Sequence, residues 1–212
     1  LVSLIILSAV SAITIPLDTF KQWNNPGNWI LYPKTSVPIW LNYFMTEKIP
    51  EHLILDNPSI ITNDDIISLA SHQFGVQYHY DDFPNDFIYE FDVEYSGSQL
   101  LQISVIRPDQ SQILLLSRSL PHSDTNILHH ERIFSADNNI KKNIQIHFSD
   151  MRFYDQNTSS EDMIFANNDG QVLKGDYLFL VNIFGAKEKV NIIDSKLILG
   201  GKAYGIMGTD EL

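Results

Sequence analysis

The chain contains no cysteine in 212 residues. That excludes a disulfide scaffold, a Cys-based zinc site, thiol catalysis and a lipid-modified Cys near the N-terminus. Basic residues are scarce as well: 14 Lys and Arg stand against 26 Asp and Glu, for a formal charge of −12. The basic residues form no run, and a phosphate backbone needs a basic stripe, so the balance argues against nucleic acid as a partner. Patterns that carry chemistry are missing too. No Gly-x-Ser-x-Gly elbow, phosphate-cradling Gly-rich loop, His-Glu-x-x-His pair or Asp-x-Asp-x-Asp-Gly calcium loop occurs.

The seven histidines are densest in His79-Tyr80-Asp81-Asp82 and His129-His130-Glu131. Neither spacing sets two metal ligands on one face of a helix, and these residues, with Asp86, read as solvated loop groups. Ser117, Ser119 and Ser123 lie near His122 and Asp124, but a catalytic triad is assembled in space rather than along the chain. The sequence therefore implies no catalytic residue, no metal and no cofactor. Asn157-Thr158-Ser159 is a glycosylation sequon, weak evidence for a location outside the cell.

What is present reads as globular: 44% of residues are hydrophobic, 11% aromatic and 19% charged. Residues 1–17 (LVSLIILSAVSAITIPL) carry no charged side chain. That length is at the lower limit for a membrane-spanning helix, which needs about 20 residues. A transmembrane helix truncated at its start explains why the chain opens on Leu1 without a Met or a basic flank. A signal peptide cleaved after Ala12 is the competing reading, and a buried core helix fits least. Residues 18–50 hold all three tryptophans, Trp23, Trp29 and Trp40, among Pro26, Pro33, Pro38 and Pro50. Such amphipathic rings after an apolar span suit a membrane interface, or else pack onto the domain that follows.

From residue 51 to about 61 an irregular segment is expected, then a short helix. Thr62-Asn63-Asp64-Asp65 supplies cap oxygens and first-turn acids, Ile66, Ile67, Leu69 and Ala70 an apolar face, and Gly75 an end. Beyond that the pattern has period two: Phe87, Tyr89, Phe91, Val93 and Tyr95 alternate with polar neighbours, as do Leu101, Ile103 and Val105. Turns are expected at Ser96-Gly97-Ser98, Arg107-Pro108-Asp109-Gln110 and Asn167-Asn168-Asp169-Gly170. Ile144, Ile146 and Phe148 read as a further strand. Residues 177–184 (YLFLVNIF) are apolar on both faces apart from Asn182, which predicts a central buried strand. Leu173-Lys174-Gly175-Asp176-Tyr177 ahead of it resembles the tyrosine corner of immunoglobulin-like sandwiches. Residues 189–193 and 196–199 look like a closing pair.

The expected fold is thus mainly β: an antiparallel β-sandwich, immunoglobulin-like or jelly-roll-like, preceded by an N-terminal transmembrane helix. Phe91, Val93, Ile103, Val105, Ile146, Phe179 and Val181 are its expected core. The sandwich spans residues 51–200 with one short helix, after a juxtamembrane segment at 18–50.

The C-terminus reads Met207-Gly208-Thr209-Asp210-Glu211-Leu212. It resembles the Gly-Thr-Asp-x-x-Gly-Arg-Asp motif of oligopeptide/dipeptide-type ABC importer permeases, and the order of apolar helix, outside segment and motif matches theirs. The resemblance implies a fragment of a permease subunit for peptides or similar solutes, with residues 201–212 leading into a second transmembrane helix. It also implies a second permease subunit, two ABC ATPase subunits, an extracellular substrate-binding protein and membrane lipid as partners. The location would be the cell membrane, with residues from about 18 onward extracytoplasmic. The alternative is a secreted or surface β-sandwich binding module with a cleaved signal peptide.

Overall fold

The computed structural model of the chain describes residues 3–4, 10, 30–33, 35–64, 67–148, 158–186 and 190–206. Nine strands form two antiparallel sheets among them: β1 (Leu53–Leu55), β2 (Ser59–Asp64), β3 (Ile67–Tyr78), β4 (Asp86–Gly97), β5 (Gln99–Ile106), β6 (Gln112–Ser119), β7 (Ser123–Phe134), β8 (Gly175–Ala186) and β9 (Val190–Gly200). One sheet runs β1-β9-β4-β7 and the other β2-β3-β8-β5-β6. The two layers face each other through Phe87, Tyr89, Phe91 and Val93 on one side and Phe74, Ile103, Phe179 and Val181 on the other, all buried. This is the expected antiparallel sandwich.

The period-two pattern explains why these segments are strands. In β4 and β8 every second side chain is buried, and the turns fall where Gly and Asn cluster. Gly97 and Gly170 take φ of 74° and 75°, a conformation that costs glycine nothing, and Gln110 takes 67° in the turn between β5 and β6. The tyrosine corner is formed: the Tyr177 hydroxyl donates to Leu173 O at 2.6 Å.

Several expectations are corrected. The helix expected from Thr62 is instead the end of β2 and the start of β3. Ser68, Ala70, His72, Phe74, Val76 and Tyr78 alternate inward along β3, and twelve-residue pairing with β8 outweighs the local cap signal. The segment expected to be irregular, 51–61, holds β1 and the first half of β2. Ile144, Ile146 and Phe148 lie not on a strand but on and just after helix α1 (Asn138–His147). Asp137 caps it by accepting from Asn139 N–H, and Ile140 and Ile144, four residues apart, fill the core. Ile146 therefore points outward at 63% exposure rather than into the core. A second helix, α2 (Ser160–Phe165), capped by Ser159, buries Met163, Ile164 and Phe165. Among the described residues, 51–200 thus hold two short helices in place of one. The closing pair is a single strand, β9.

The described part of the Trp/Pro-rich segment is stitched to the chain's other end. Val37 bridges Ala203, Val37 N–H donates to Lys202 O, and Ile39 N–H donates to Gly205 O. Among the described residues, no helix is long and apolar enough to cross a membrane. Of residues 1–17, Ser3, Leu4 and Val10 are described and helical; the remainder of that expected span lies outside the described residues.

Candidate functional site

The two sheets differ in what they turn away from the core. On the four-stranded sheet, β4 presents Glu90, Asp92 and Glu94. Arg132 and Lys196 flank Glu90, and His130 and Asp194 flank Asp92. His130 bonds Asp92 at 2.7 Å and Asn126 donates to Glu94 at 2.8 Å, so this face is charged and largely paired with itself.

The five-stranded sheet is the opposite. Its registers align Ser71, Asn182, Gln102 and Ser117 in one row across β3, β8, β5 and β6. The next rows are Gln73, Leu180, Ser104 and Leu114, then Gly75, Leu178, Ile106 and Gln112. A further row holds Leu69, Phe184, Leu100 and Ser119. None of these side chains is charged, in a chain whose net charge is −12. The carboxylate on this side, Asp176, sits at the start of β8 opposite Gln77, at the margin. Within the face, Gln112 Nε2 donates to Ser104 Oγ at 3.2 Å. A Cβ on Gly75 would meet no heavy atom within 4 Å, so the face is open there and Leu178 beside it forms a shallow floor.

This arrangement follows from β8. Its inner residues Tyr177, Phe179, Val181 and Ile183 are buried, while Leu178, Leu180, Asn182 and Phe184 remain half-buried. The strand is central, as expected, but its outer apolar residues are not a second core. Strands four deep span about 14 Å at the usual spacing, enough for an extended ligand laid across them. Amides and hydroxyls both donate and accept, and the aliphatic residues between them receive apolar ligand faces.

A cleft of about 420 Å³ lies elsewhere, lined by Tyr32, His52, Asn85, Asp86, Ile88 and Gly201 among others. His52 Nε2 lies 2.7 Å from Leu31 O, and Nδ1 accepts from Gly201 N–H at 3.3 Å. Burial holds the His52 pKa below its ordinary value. Both ring nitrogens are committed to fastening residue 31 and residue 201, which leaves this histidine a structural rather than a reactive role.

The sequence-based candidates are placed as follows. Trp40 lies on a 3-10 turn (Ile39–Tyr43), 46% exposed, with its indole N–H donating to Ile206 O at 2.9 Å. Trp23 and Trp29 lie outside the described residues, as do Gly208, Thr209, Asp210, Glu211 and Leu212. Asp81 accepts from Lys48 N–H and pairs with Lys174, while Asp82 pairs with Lys202, so these acids staple loops. Among the described residues no three His, Asp or Glu groups converge on a metal position. His122 does meet Asp124 at 3.1 Å and Ser98 Oγ at 3.0 Å. Asp124 is 96% exposed, however, so water solvates it and it cannot fix the ring. His72 Nδ1 and Ser195 Oγ, 2.6 Å apart, form a dyad between the sheets, but both are buried out of reach of a substrate.

The uncharged face was missed at the sequence level. Its signal was present in the apolar outer residues of 177–184, which were assigned to burial instead.

No family model matches the chain, and no curated protein matches it. Solved structures with a similar arrangement include TmCBM61 in complex with beta-1,4-galactotriose, at 7% identity and TM-score 0.28, covering 71% of this chain and 85% of that one. A carbohydrate-binding module specific for non-crystalline cellulose is 6% identical at TM-score 0.28, over 73% of each chain. Another, from work on promiscuous modules of the β-sandwich superfamily, is 6% identical at TM-score 0.29, over 80% of this chain and 61% of that one. The transmembrane-transport reading is corrected on one finding: no helix long and apolar enough to cross a membrane occurs among the described residues.

Proposed function

We propose that this chain is a β-sandwich binding module whose ligand lies across the outer face of the five-stranded sheet. The observation that carries this reading is the absence of charge from four successive rows of that face in a strongly acidic chain. A face without cations or anions gives no purchase to a phosphate, a carboxylate or a metal ion. It suits a neutral, hydroxyl-rich chain, because the part-exposed Gln73, Gln102 and Asn182 can each satisfy hydroxyls as donor and acceptor. Leu178, Leu180 and Phe184 would take the C–H faces of the same ligand. The buried position of the His72–Ser195 dyad favours binding over catalysis.

The test uses neutral saccharides, β-1,4-galactotriose and soluble fragments of non-crystalline cellulose, against an acidic uronic-acid oligosaccharide. Backbone amide shifts are expected at Gln73, Gln102, Leu180 and Asn182 with a neutral probe and not with the acidic one. A Cβ at Gly75 meets nothing within 4 Å, so Gly75→Trp sets its ring over the open face and is expected to weaken binding about tenfold, or about 1.4 kcal/mol. Shifts confined to the His52 cleft, or none on this face with any neutral saccharide, would refute the proposal.

A further inference from the structure

The edges of a β-sheet expose unpaired backbone groups, and soluble proteins defend them with charge, proline, bulges, short length or a covering element. Three of the four edges here are defended. β1 is three residues long, β6 lies under α1, which donates from Asn143 Nδ2 to Leu115 O, and β7 carries Asp124, Glu131 and Arg132 along its length. β2 is the least defended: its one charge, Asp64, is its last residue, and no strand covers it among the described residues. It reads Ser59, Ile60, Ile61, Thr62, Asn63 before Asp64, with no internal proline and no bulge in its register with β3. Ile60 is 63% exposed and Ile61 48% exposed, and among the described residues no strand lies on the free side of β2.

We infer that β2 pairs with β2 of a second copy of this chain, antiparallel about a two-fold axis at Ile61. The strand is self-complementary in that register. Ile61 faces Ile61, Ile60 faces Thr62, and Ser59 faces Asn63, so β-branched residues meet across the seam. Charge fits as well. Asp64 falls opposite Pro58, and Asp56 falls beyond the end of the pairing, so no carboxylates oppose each other despite the net charge of −12 on each copy. An isologous contact of this kind closes on itself and stops at two copies. It joins two five-stranded sheets into one, and Ser59 and Ile61 carry the uncharged face across the seam. A long ligand could then be held by both copies at once. One strand pair buries less than the roughly 1,200 Å² of a standard interface, so the dimer is weak and concentration-dependent.

Sedimentation of the full chain over a concentration series tests this. The mass is expected to rise from 24.3 kDa towards twice that value as concentration increases. Ile61→Lys and Ile61→Asp should each hold the chain at monomer mass, since like charges then meet on the axis. An equimolar mixture of the two should restore the dimer. A wild-type chain that stays monomeric at millimolar concentration, variants that dimerise like wild type, or a mixture that stays monomeric would each overturn the inference. Should the variants fail to fold, amide exchange on the wild type decides. β2 protection that falls on dilution supports the pairing, and protection independent of concentration defeats it.

Discussion

Tyr177→Phe probes the tyrosine corner, because it removes one oxygen, which also faces the Arg107 guanidinium, and leaves the ring where it packs. Tyr177 is 1% exposed and lies 4.5 Å from Phe165 and 6.1 Å from Tyr78, centroid to centroid. Burial raises its phenol pKa, so the hydroxyl is a donor throughout the ordinary pH range. Its bond to Leu173 O, at 2.6 Å, ties the segment before β8 to the central strand. A net hydrogen bond contributes about 0.5–1.5 kcal/mol, and orphaning a buried acceptor costs about 1–3 kcal/mol. Leu173 is only half-buried, so water recovers part of that loss. The expected destabilisation is therefore about 1–2 kcal/mol, read from urea unfolding followed by circular dichroism, with the slope m unchanged. For a domain of this size that lowers Tm by about 2–8 °C. A variant as stable as wild type would show that the bond adds nothing to the packing of the ring. A changed m would mean that the substitution acts on the unfolded state instead.

Two further outcomes are expected at His72 and Gly201. Burial holds the His72 pKa below the unfolded value of 6.5, so below that pH the unfolded chain binds the extra proton and stability falls as pH drops from 6.5 towards and through the folded value. His72→Gln should flatten that fall by up to about 1.4 kcal/mol per pH unit, and an unchanged slope in chemical unfolding between pH 6.5 and 5 would refute it. Glu161, raised by burial, acts with the opposite sign above 4.5 and is common to both proteins. A Cβ at Gly201 would stand 2.1 Å from His52 N and 2.2 Å from Glu51 C, both backbone atoms, so Gly201→Ala should cost about 1–3 kcal/mol or more. Wild-type thermal stability in that variant would mean the chain end can move aside freely.

Much of the sandwich was legible in the sequence because strands with one buried face announce themselves by alternation. Phe91, Val93, Ile103, Val105, Phe179 and Val181 are all buried as that alternation requires. Glycine and asparagine marked the turns at Gly97 and Gly170, and five residues were enough to identify the Tyr177 corner. What local pattern could not decide was any segment whose partner is remote. Residues 62–70 spell a helix start, yet 62–64 and 67–70 are strand, because β8 offers β3 twelve paired positions about a hundred residues away. Residues 144–148 alternate like a strand and fold as a helix because Ile140 and Ile144 close the core beside β6.

The candidate site belongs to the second kind. Ser71, Asn182, Gln102 and Ser117 are distant in sequence, ordinary one by one, and become a row only through the register of four strands. By itself the sequence determined that the chain is acidic, cysteine-free and built from alternating strands, since those properties belong to single residues and near neighbours. The tertiary structure decided that charges line the outer face of one sheet and are absent from four successive rows on the outer face of the other. Which strand lies beside which is set by packing energies summed over the whole sandwich.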